Sequence, residues 1–345
     1  MPSSGQRPLL LRLPNWLGDL VQALPVVESA AAEASSRGVL FLGPSSLAPL
    51  LTPRFPSITY LHWSRARRFA SLGEIRRLKP GAALLLTDSL SSALLAALAG
   101  IPERIGYDAE LRGGLLTRRV KRSFPARSAP RAEEYAVLAR AAGLRVDGAV
   151  PRIAALPWER EAAESLLRRV GIEGEPYAVL APGASYGPAK RWDPARFAEV
   201  AAYLDARHSL ASVLVGTRED VGPAQAVEWI AGECVVNLVG ATDLKALVGV
   251  LASAEIVISN DSGAMHLAAA LGTPTVGLFG STSPVWTSAT APWVRSLYAA
   301  YPCSPCFRRS CPIGYGCLKA LEPVPAIRAA AELLERSAAP VHERD

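Results

Sequence analysis

The chain has 345 residues, of which 50% are hydrophobic and 20% are charged, and this composition excludes an intrinsically disordered protein. Single hydrophobic cores stop growing at roughly 250–300 residues, so we expect two domains. No apolar run reaches the ~20 residues of a membrane helix, and the apolar residues near the N-terminus are too few for a secretory signal. We therefore expect a cytoplasmic protein whose five cysteines remain reduced or bind a metal.

The net charge of +6 is unevenly divided along the chain. Residues 1–150 carry 20 Lys and Arg against 11 Asp and Glu, whereas residues 151–345 carry 17 against 20. The basic residues of the first half form two groups, which are Arg65, Arg67, Arg68, Arg76, Arg77 and Lys79, and Arg112, Arg118, Arg119, Lys121 and Arg122. Such groups are suited to binding phosphates, an anionic lipid surface or an acidic sugar. The alternative is that they are ordinary surface cations in contact with solvent. Nucleic acid is not an expected partner, because no recognisable nucleic-acid-binding module accompanies the charge.

Short apolar runs alternate with helical patterns along both halves of the chain. In the first half, the pattern predicts strands at 9–13, 39–42 and 83–87, a helix from Asp19 and a helix at 92–99. In the second half, it predicts helices at 159–170 and 325–337 and strands at 177–181, 212–215, 235–238, 255–259 and 275–279. This alternation is typical of βαβ units, so we predict an α/β fold with two doubly wound parallel sheets. Ligands of such sheets bind beyond the carboxyl ends of the strands, and two facing sheets would place the site in an interdomain cleft.

Residues 13–19, Leu-Pro-Asn-Trp-Leu-Gly-Asp, form the first strand-to-helix junction. Gly18 allows a close approach of the backbone, and Asp19 stands at the start of the predicted helix. A carboxylate there complements the positive end of the helix, or it is a general base that takes a proton from an attacking hydroxyl. The local sequence leaves both interpretations open.

The second junction, residues 181–192, reads Ala-Pro-Gly-Ala-Ser-Tyr-Gly-Pro-Ala-Lys-Arg-Trp. Gly183 permits a tight turn, and Ser185 offers a hydroxyl. Lys190 is a point cation suited to phosphate, or it is a solvated lysine. Small residues around a cation favour a specialised phosphate-binding loop.

The third junction, residues 256–267, ends a buried strand in Asn-Asp-Ser-Gly and starts a helix of small residues. The free amides of Ser262 and Gly263 at the helix start suit a diphosphate, because the helix macrodipole adds to their attraction. His266 lies one turn further and either reaches the phosphate or belongs to the core. An acidic side chain beside an anionic ligand is better assigned to sugar hydroxyls, so we expect Asp261 to contact the sugar.

Four cysteines, Cys303, Cys306, Cys311 and Cys317, cluster in an irregular loop at 303–317. Their spacing is shorter than that of a zinc ribbon, and bound zinc, an iron–sulfur cluster and unligated thiols all remain open. There is no D-x-D pair to hold a divalent metal at a diphosphate, so neutralisation of the diphosphate would be left to Lys190, the helix amides and, if it reaches the phosphate, His266. The expected domains are 1–155, 156–324 with the cysteine-rich loop, and 325–345 as a C-terminal helix and tail.

Residues 13–19, 182–192 and 259–270 together resemble the motifs of glycosyltransferase family 9, the ADP-heptose:lipopolysaccharide heptosyltransferases, in the same order along the chain. The runs 187–192, Gly-Pro-Ala-Lys-Arg-Trp, and 303–312 are most similar to the branch that adds the second core heptose. The resemblance implies a GT-B fold, with the acceptor bound by the N-terminal domain and the nucleotide sugar by the C-terminal domain.

The resemblance also implies a reaction. An inverting displacement would move L-glycero-D-manno-heptose from ADP-heptose to the first heptose of a Kdo-containing lipid A core, at the anionic inner leaflet of the inner membrane and without a cofactor. Asp19 matches the family's general base, and the donor-site positions match Ser185, Lys190, Asp261, Ser262, Gly263 and His266. The alternatives are a related glycosyltransferase with another nucleotide sugar or surface-glycan acceptor, and a non-catalytic nucleotide-sugar-binding protein.

Overall fold

The computed structural model describes residues 7–338, except 65, 67, 123, 126, 147 and 149. Arg65 and Arg67 of the first basic group, the side chain of Arg68 and the predicted tail at 339–345 lie outside the described part of the chain. The chain divides into two compact units between Pro151 and Arg152. Each unit has its own parallel sheet.

The first unit is built on strands that lie parallel to one another. They are β1 (Leu9–Arg12), β2 (Val39–Pro44), β3 (Thr59–Trp63), β4 (Ala82–Leu85), β5 (Glu103–Tyr107) and β6 (Arg118–Val120). The helices are α1 (Leu17–Gln22), α2 (Leu24–Ala32), α3 (Ala34–Arg37), α4 (Ala48–Leu51), α5 (Arg68–Leu78), α6 (Leu90–Leu98) and α7 (Arg131–Ala141). Among the described residues the strand order is β3-β2-β1-β4-β5-β6.

Burial of the central strands explains why this sheet forms. All four residues of β1 are buried, and Leu11 pairs with Phe41 on one side and Leu84 on the other. Strands buried on both faces read as continuous apolar runs, as the Leu-Leu-Leu of β1 does. Helices α5 and α6 cover one core of this unit through Ile75 and Leu95, while α1 packs against α2 and α7.

The second unit repeats this plan. Its strands are β7 (Tyr177–Ala181), β8 (Ala211–Leu214), β9 (Val235–Asn237), β10 (Ile256–Asn260), β11 (Thr275–Phe279) and β12 (Val294–Tyr298). Its helices are α8 (Pro157–Arg169), α9 (Pro194–His208), α10 (Val221–Ala231), α11 (Leu244–Ala252), α12 (Gly263–Leu271), α13 (Pro284–Thr287), α14 (Gly316–Lys319) and α15 (Pro323–Ala338). The order among described residues is β12-β11-β10-β7-β8-β9, which is the 3-2-1-4-5-6 order of a doubly wound sheet, as in the first unit.

The last helix, α15, packs within the second unit. It contacts α9 and strands β10, β11 and β12. Ala326, Ala330 and Leu333 of this helix are buried in the same core as Trp192 and Phe197. The helix therefore completes the covering of the second sheet.

Each sheet has one point where the strand order reverses, and ligands of open α/β sheets bind there. In the first unit this point lies between β1 and β4, and in the second between β7 and β10. The three junctions singled out in the sequence follow β1, β7 and β10, so all of them lie at these reversal points. Among the described residues, no helix is both long enough and apolar enough to cross a bilayer.

Candidate functional site

Asn260, the last residue of β10, connects the two loops at the reversal point of the second unit. Its side-chain nitrogen donates to the carbonyl of Pro182 at 2.7 Å, and its side-chain oxygen accepts from the backbone N–H of Trp192 at 3.0 Å. The residue is fully buried. We call residues 182–193 the donor loop, and Asn260 fixes both of its ends. The sequence motif predicted functional roles for residues next to Asn260. The contacts of Asn260 with both ends of the loop could be recognised only in the folded structure.

Lys190 lies in the donor loop, in a short 3-10 helix formed by Pro188–Lys190. Its ammonium is 2.6 Å from a carboxylate oxygen of Asp261 and 4.9 Å from the centre of the Tyr186 ring. The side chain is 12% exposed. Lys190 is therefore a positioned cation at the strand ends, as phosphate binding requires.

Asp261 is buried and is surrounded by donors. One of its oxygens accepts from Lys190 and from the hydroxyls of Thr282 at 2.6 Å and Thr287 at 3.2 Å, and the other lies 3.5 Å from His266 Nε2. Burial raises the pKa of Asp261, but Lys190 and His266 outweigh it and hold this pKa well below the usual carboxyl range. Both oxygens of Asp261 have partners within the protein, and its contact with the sugar stays a prediction. Asp261 thereby orients Lys190 and His266.

Ser262 and Gly263 lie at the start of α12, for which Ser262 is the N-cap residue. The first amides of a helix have no partner within the helix, so those of Ser262 and Gly263 are suited to an anion. The Ser262 hydroxyl is 3.0 Å from that of Ser259. His266 is 6% exposed and lies on this helix beside Asp261. The structure thus brings Lys190 and the start of α12 to the same edge of the sheet.

Gly183 makes room for a buried carboxylate under the donor loop. A Cβ added at Gly183 would lie 2.1 Å from the carboxyl carbon of Asp220. Asp220 is 4% exposed and accepts from the backbone N–H of Thr217 at 3.0 Å, with Arg191 at 3.3 Å. Ser185, by contrast, is exposed on the loop. Gly183 therefore serves packing, whereas Ser185 is accessible to a ligand.

The cysteine-rich loop at 303–317 packs directly on the donor loop. The Tyr186 hydroxyl donates to the carbonyl of Phe307, and Arg309 Nε donates to the carbonyl of Tyr186 at 2.7 Å. The carbonyl of Arg309 accepts from the backbone N–H of Ala189 at 3.1 Å. The cysteine-rich loop therefore supports the segment that carries Lys190.

The cysteines of that loop carry no disulfide in the described chain. Cys311 Sγ accepts from the backbone N–H of Tyr315 at 3.2 Å, and bonds from Tyr315 and Ile313 lower the pKa of the Cys311 thiol. Burial raises the pKa of Cys317. Within the described ranges, no three or more His, Cys, Asp or Glu side chains have the arrangement of a metal site.

Asp19 lies in the first turn of α1, at the reversal point of the first unit. Gly18 precedes it within this helix, which begins two residues before the predicted start. The side chain of Asp19 is 36% exposed, and one carboxylate oxygen lies 3.7 Å from Arg131 Nε at the start of α7. Asp19 is thus both accessible to a substrate and oriented by a cation. Arg131 is a functional candidate that could not be predicted from the sequence, because it lies far from Asp19 along the chain and only the fold brings the two side chains together.

Three further charged side chains extend this cluster. Asp88, which follows β4, lies 2.5 Å from Arg122 and 3.9 Å from Arg131. Glu134, which is 3% exposed, accepts from Arg122 and Arg131 at 2.7 Å each. Cations and carboxylates therefore alternate beside Asp19. Asp88 could have been noticed as an acid at the end of a predicted strand.

The expectation that Arg112 faces an anionic ligand is wrong. Its side chain is completely buried, and its guanidinium donates to the carbonyls of Tyr107 at 2.9 Å and of Thr87. Burial lowers the pKa of Arg112. Arg112 is therefore a structural cation that ties β5 to the loop after β4, while Arg118, Arg119 and Lys121 of the same group are exposed.

Arg12, at the end of β1, shapes the loop that leads to Asp19. It donates to the side-chain oxygen of Asn15 at 2.6 Å and lies 4.6 Å from the centre of the Trp63 ring. Burial lowers the pKa of Arg12 to about 10. A buried arginine held in this way fixes the path of residues 13–18.

The chain has two doubly wound sheets, which is the architecture of GT-B glycosyltransferases. The reversal point of one sheet carries a cation and a helix start, and that of the other carries an accessible carboxylate. Residues 72–315 match the family model described as glycosyltransferase family 9 (heptosyltransferase). The chain belongs to this family and is a glycosyltransferase.

Named relatives support this assignment over most of the chain. The chain is 30% identical to lipooligosaccharide heptosyltransferase 2 of Haemophilus influenzae, over 81% of this chain and 85% of the relative. It is 31% identical to lipopolysaccharide heptosyltransferase 2 of Salmonella typhimurium, over 79% and 83%. The solved structure of E. coli ADP-heptose lps heptosyltransferase II superposes with a TM-score of 0.77 and 25% identity, over 96% of this chain and all of the other. The GT-B fold and the family resemblance expected from the sequence are confirmed.

Proposed function

We propose that this enzyme transfers L-glycero-D-manno-heptose from ADP-heptose to the first heptose of the lipopolysaccharide inner core. The observation that carries the proposal is the similarity to heptosyltransferase 2 enzymes over about four-fifths of the chain. The acceptor is a Kdo-containing lipid A core, and the enzyme acts in the cytoplasm at the anionic inner face of the inner membrane. The excess of Lys and Arg in residues 1–150 supports an acidic acceptor.

In the proposed complex, the second unit binds the donor diphosphate. Lys190 supplies the cation, the amides of Ser262 and Gly263 supply donors, and His266 lies one turn behind them. These groups stabilise the charge that develops on the departing ADP. Asp261 contributes by holding Lys190 and His266 in place, and the accessible hydroxyl of Ser185 is available to the donor. No cofactor is assigned to this step.

In the first unit, Asp19 takes the proton from the acceptor hydroxyl. The acceptor oxygen then bonds to the anomeric carbon, the bond from that carbon to the ADP oxygen breaks, and the configuration inverts through an oxocarbenium-like transition state. Asp19 suits this role because its carboxylate is partly exposed and is oriented by Arg131. A base whose orientation is set before the substrate binds is favourable for proton transfer from a bound hydroxyl.

The test is release of ADP from ADP-heptose, with and without a core acceptor truncated after its first heptose. We expect Asp19→Ala to lower turnover by about 10²–10⁴-fold, which is the usual contribution of a general base. Glu103→Ala is the matched control, since Glu103 is a half-exposed acid of the same unit whose ion pair with Arg118 at 3.4 Å lies at the surface. The control should retain wild-type turnover.

Three outcomes would contradict the proposal in different ways. Loss of activity in EDTA would show that the reaction needs a metal. Release of the nucleoside diphosphate from UDP- or GDP-sugars, but not from ADP-heptose, would show that the enzyme uses another sugar donor. Normal donor binding by both Asp19→Ala and the wild type, without turnover in either, would indicate a non-catalytic sugar-nucleotide-binding protein.

A further inference from the structure

Helix α6 has large apolar side chains on both of its faces. Its inner face packs Ala93, Leu95 and Ala96 into the core of the first unit. On its outer face, Leu90, Leu94 and Leu98 are 46%, 43% and 52% exposed. A helix that is apolar all round is normally buried, and within the described part of the chain this outer stripe of leucines is left uncovered.

The neighbouring helix adds positive charge to this stripe. Arg76 on α5 reaches across to α6 and donates to the carbonyl of Leu98 at 3.2 and 2.9 Å. Arg77 and Lys79 are also exposed, the latter immediately after the end of α5. We call these residues, with the three leucines of the stripe, the α5–α6 face. The face combines apolar side chains with cations, which is the pattern of proteins that lie on anionic membranes.

The location of the face fits a membrane-embedded acceptor. Leu90 begins α6 only two residues after Asp88, and Asp88 shares Arg131 with Asp19. The leucine stripe therefore starts beside the candidate catalytic cluster and runs away from it along the helix. An acceptor held in a bilayer against this face would have its sugars near Asp19.

We propose that the α5–α6 face is the surface by which this enzyme binds a bilayer containing anionic lipids, with Leu90, Leu94 and Leu98 entering the interface and Arg76, Arg77 and Lys79 contacting lipid phosphates. This inference rests on the proposed function for the membrane-held acceptor. A second copy of the chain is a poorer occupant, because a symmetric contact would bring the arginines of one copy against those of the other.

The test is co-sedimentation of the full chain with phosphatidylcholine vesicles that contain or lack phosphatidylglycerol. We expect the wild type to bind the phosphatidylglycerol vesicles and Leu94→Ser/Leu98→Ser to bind them about twentyfold more weakly, since two half-exposed leucines lose their burial. The matched control is Trp229→Ser/Ile230→Ser on α10, which removes side chains that are 89% and 53% exposed in the other unit. This control should bind as the wild type does.

The charge contribution is tested separately. Arg77→Gln/Lys79→Gln should weaken binding to phosphatidylglycerol vesicles by about 25-fold, because each cation near an anionic surface contributes about fivefold. Binding to pure phosphatidylcholine should change little. Equal binding of the wild type to both kinds of vesicle would overturn the assignment of the cations to lipid phosphates.

Release of ADP with a deacylated, water-soluble core acceptor separates this inference from the proposed function. Both sets of surface variants should match the wild type in that assay, which also shows that they are folded. No turnover by the wild type there, with vesicle binding intact, would reject the proposed function alone. Absence of vesicle binding by the wild type would overturn the membrane face, and so would a dimer in sedimentation equilibrium that Leu94→Ser/Leu98→Ser abolishes.

Discussion

Asp261 illustrates how a single buried residue acquires its role from partners elsewhere in the chain. Its carboxylate accepts from Lys190, 71 positions earlier in the chain, and from Thr282. Because Asp261 is 2% exposed and Lys190 12%, the ion pair is largely shielded from bulk water. Such a pair is costly to break on one side, since the remaining charge stays buried without compensation.

We therefore predict that Asp261→Asn lowers the free energy of unfolding at neutral pH by about 3–5 kcal/mol. The pKa of Asp261 is lower in the folded protein than in the unfolded chain, so its ionised form stabilises the fold fully above about pH 4, and this stabilisation is lost as the pH falls further. Urea unfolding at a series of acidic pH values measures the effect, and the variant should show a shallower dependence on pH.

Glu322→Gln is the control for that experiment. Glu322 is 64% exposed and pairs with Arg196 at 3.1 Å at the surface, where ion pairs contribute little. Its removal should leave both the stability and the acid dependence close to those of the wild type. Identical acid dependence in Asp261→Asn and the wild type would show that the buried pair has no such energetic role.

At the scale of elements, the central strands could be predicted and several outer ones could not. β3, β6 and β12 lie at sheet edges and β5 lies beside an edge, and the sequence pattern predicted none of them. Edge strands are half-exposed and carry polar residues, as in Arg-Arg-Val of β6, so their apolar signal is weak. The predicted strands β1, β4, β7 and β10 surround the reversal points, which is why the site could be located in advance.

The donor loop and the cysteine-rich loop are in contact, and this contact positions Lys190. Tyr186 links the two, since its hydroxyl reaches the carbonyl of Phe307 while Lys190 lies over its ring at 4.9 Å. A cation above an aromatic ring is attracted by the ring quadrupole. Tyr186 is therefore a positioning residue for Lys190, which is also held by Asp261.

We predict that Tyr186→Leu raises the KM for ADP-heptose about fivefold with a smaller change in kcat, because a cation–π contact contributes about 1 kcal/mol. Tyr186→Phe keeps the ring and should retain a KM closer to that of the wild type. Steady-state kinetics with varied donor and saturating acceptor measures the difference. An equal effect of both substitutions would assign the role to the hydroxyl rather than to the ring.

At the scale of the whole molecule, one topology is used twice with different side chains. Both sheets have the order 3-2-1-4-5-6, but the reversal point of the second carries Lys190 and the start of α12, and that of the first carries Asp19 among arginines. Residues 1–150 have an excess of positive charge and residues 151–345 do not. The two units are therefore suited to different ligands.

We predict that ADP alone protects amides of the second unit most strongly. Hydrogen exchange should slow at 183–191 and 261–266, because those segments contain the proposed phosphate donors. At about 100 times its dissociation constant, ADP should raise the free energy of unfolding of the binding unit by about 2.7 kcal/mol. Lys190→Ala is the control and should lose most of this protection, whereas strongest protection at 16–19 or 87–89 would assign the nucleotide to the first unit.

The two α/β units, the three junctions that carry the candidate site residues, and the family could all be predicted from the sequence. These properties are local, because strands buried on both faces read as apolar runs and the loops that follow them need glycine and polar residues. The contact of Asp261 with Lys190, the orientation of Asp19 by Arg131 and the burial of Arg112 became visible only in the folded chain. Such pairings join residues far apart in the chain, and they depend on which strand ends the order of each sheet brings together.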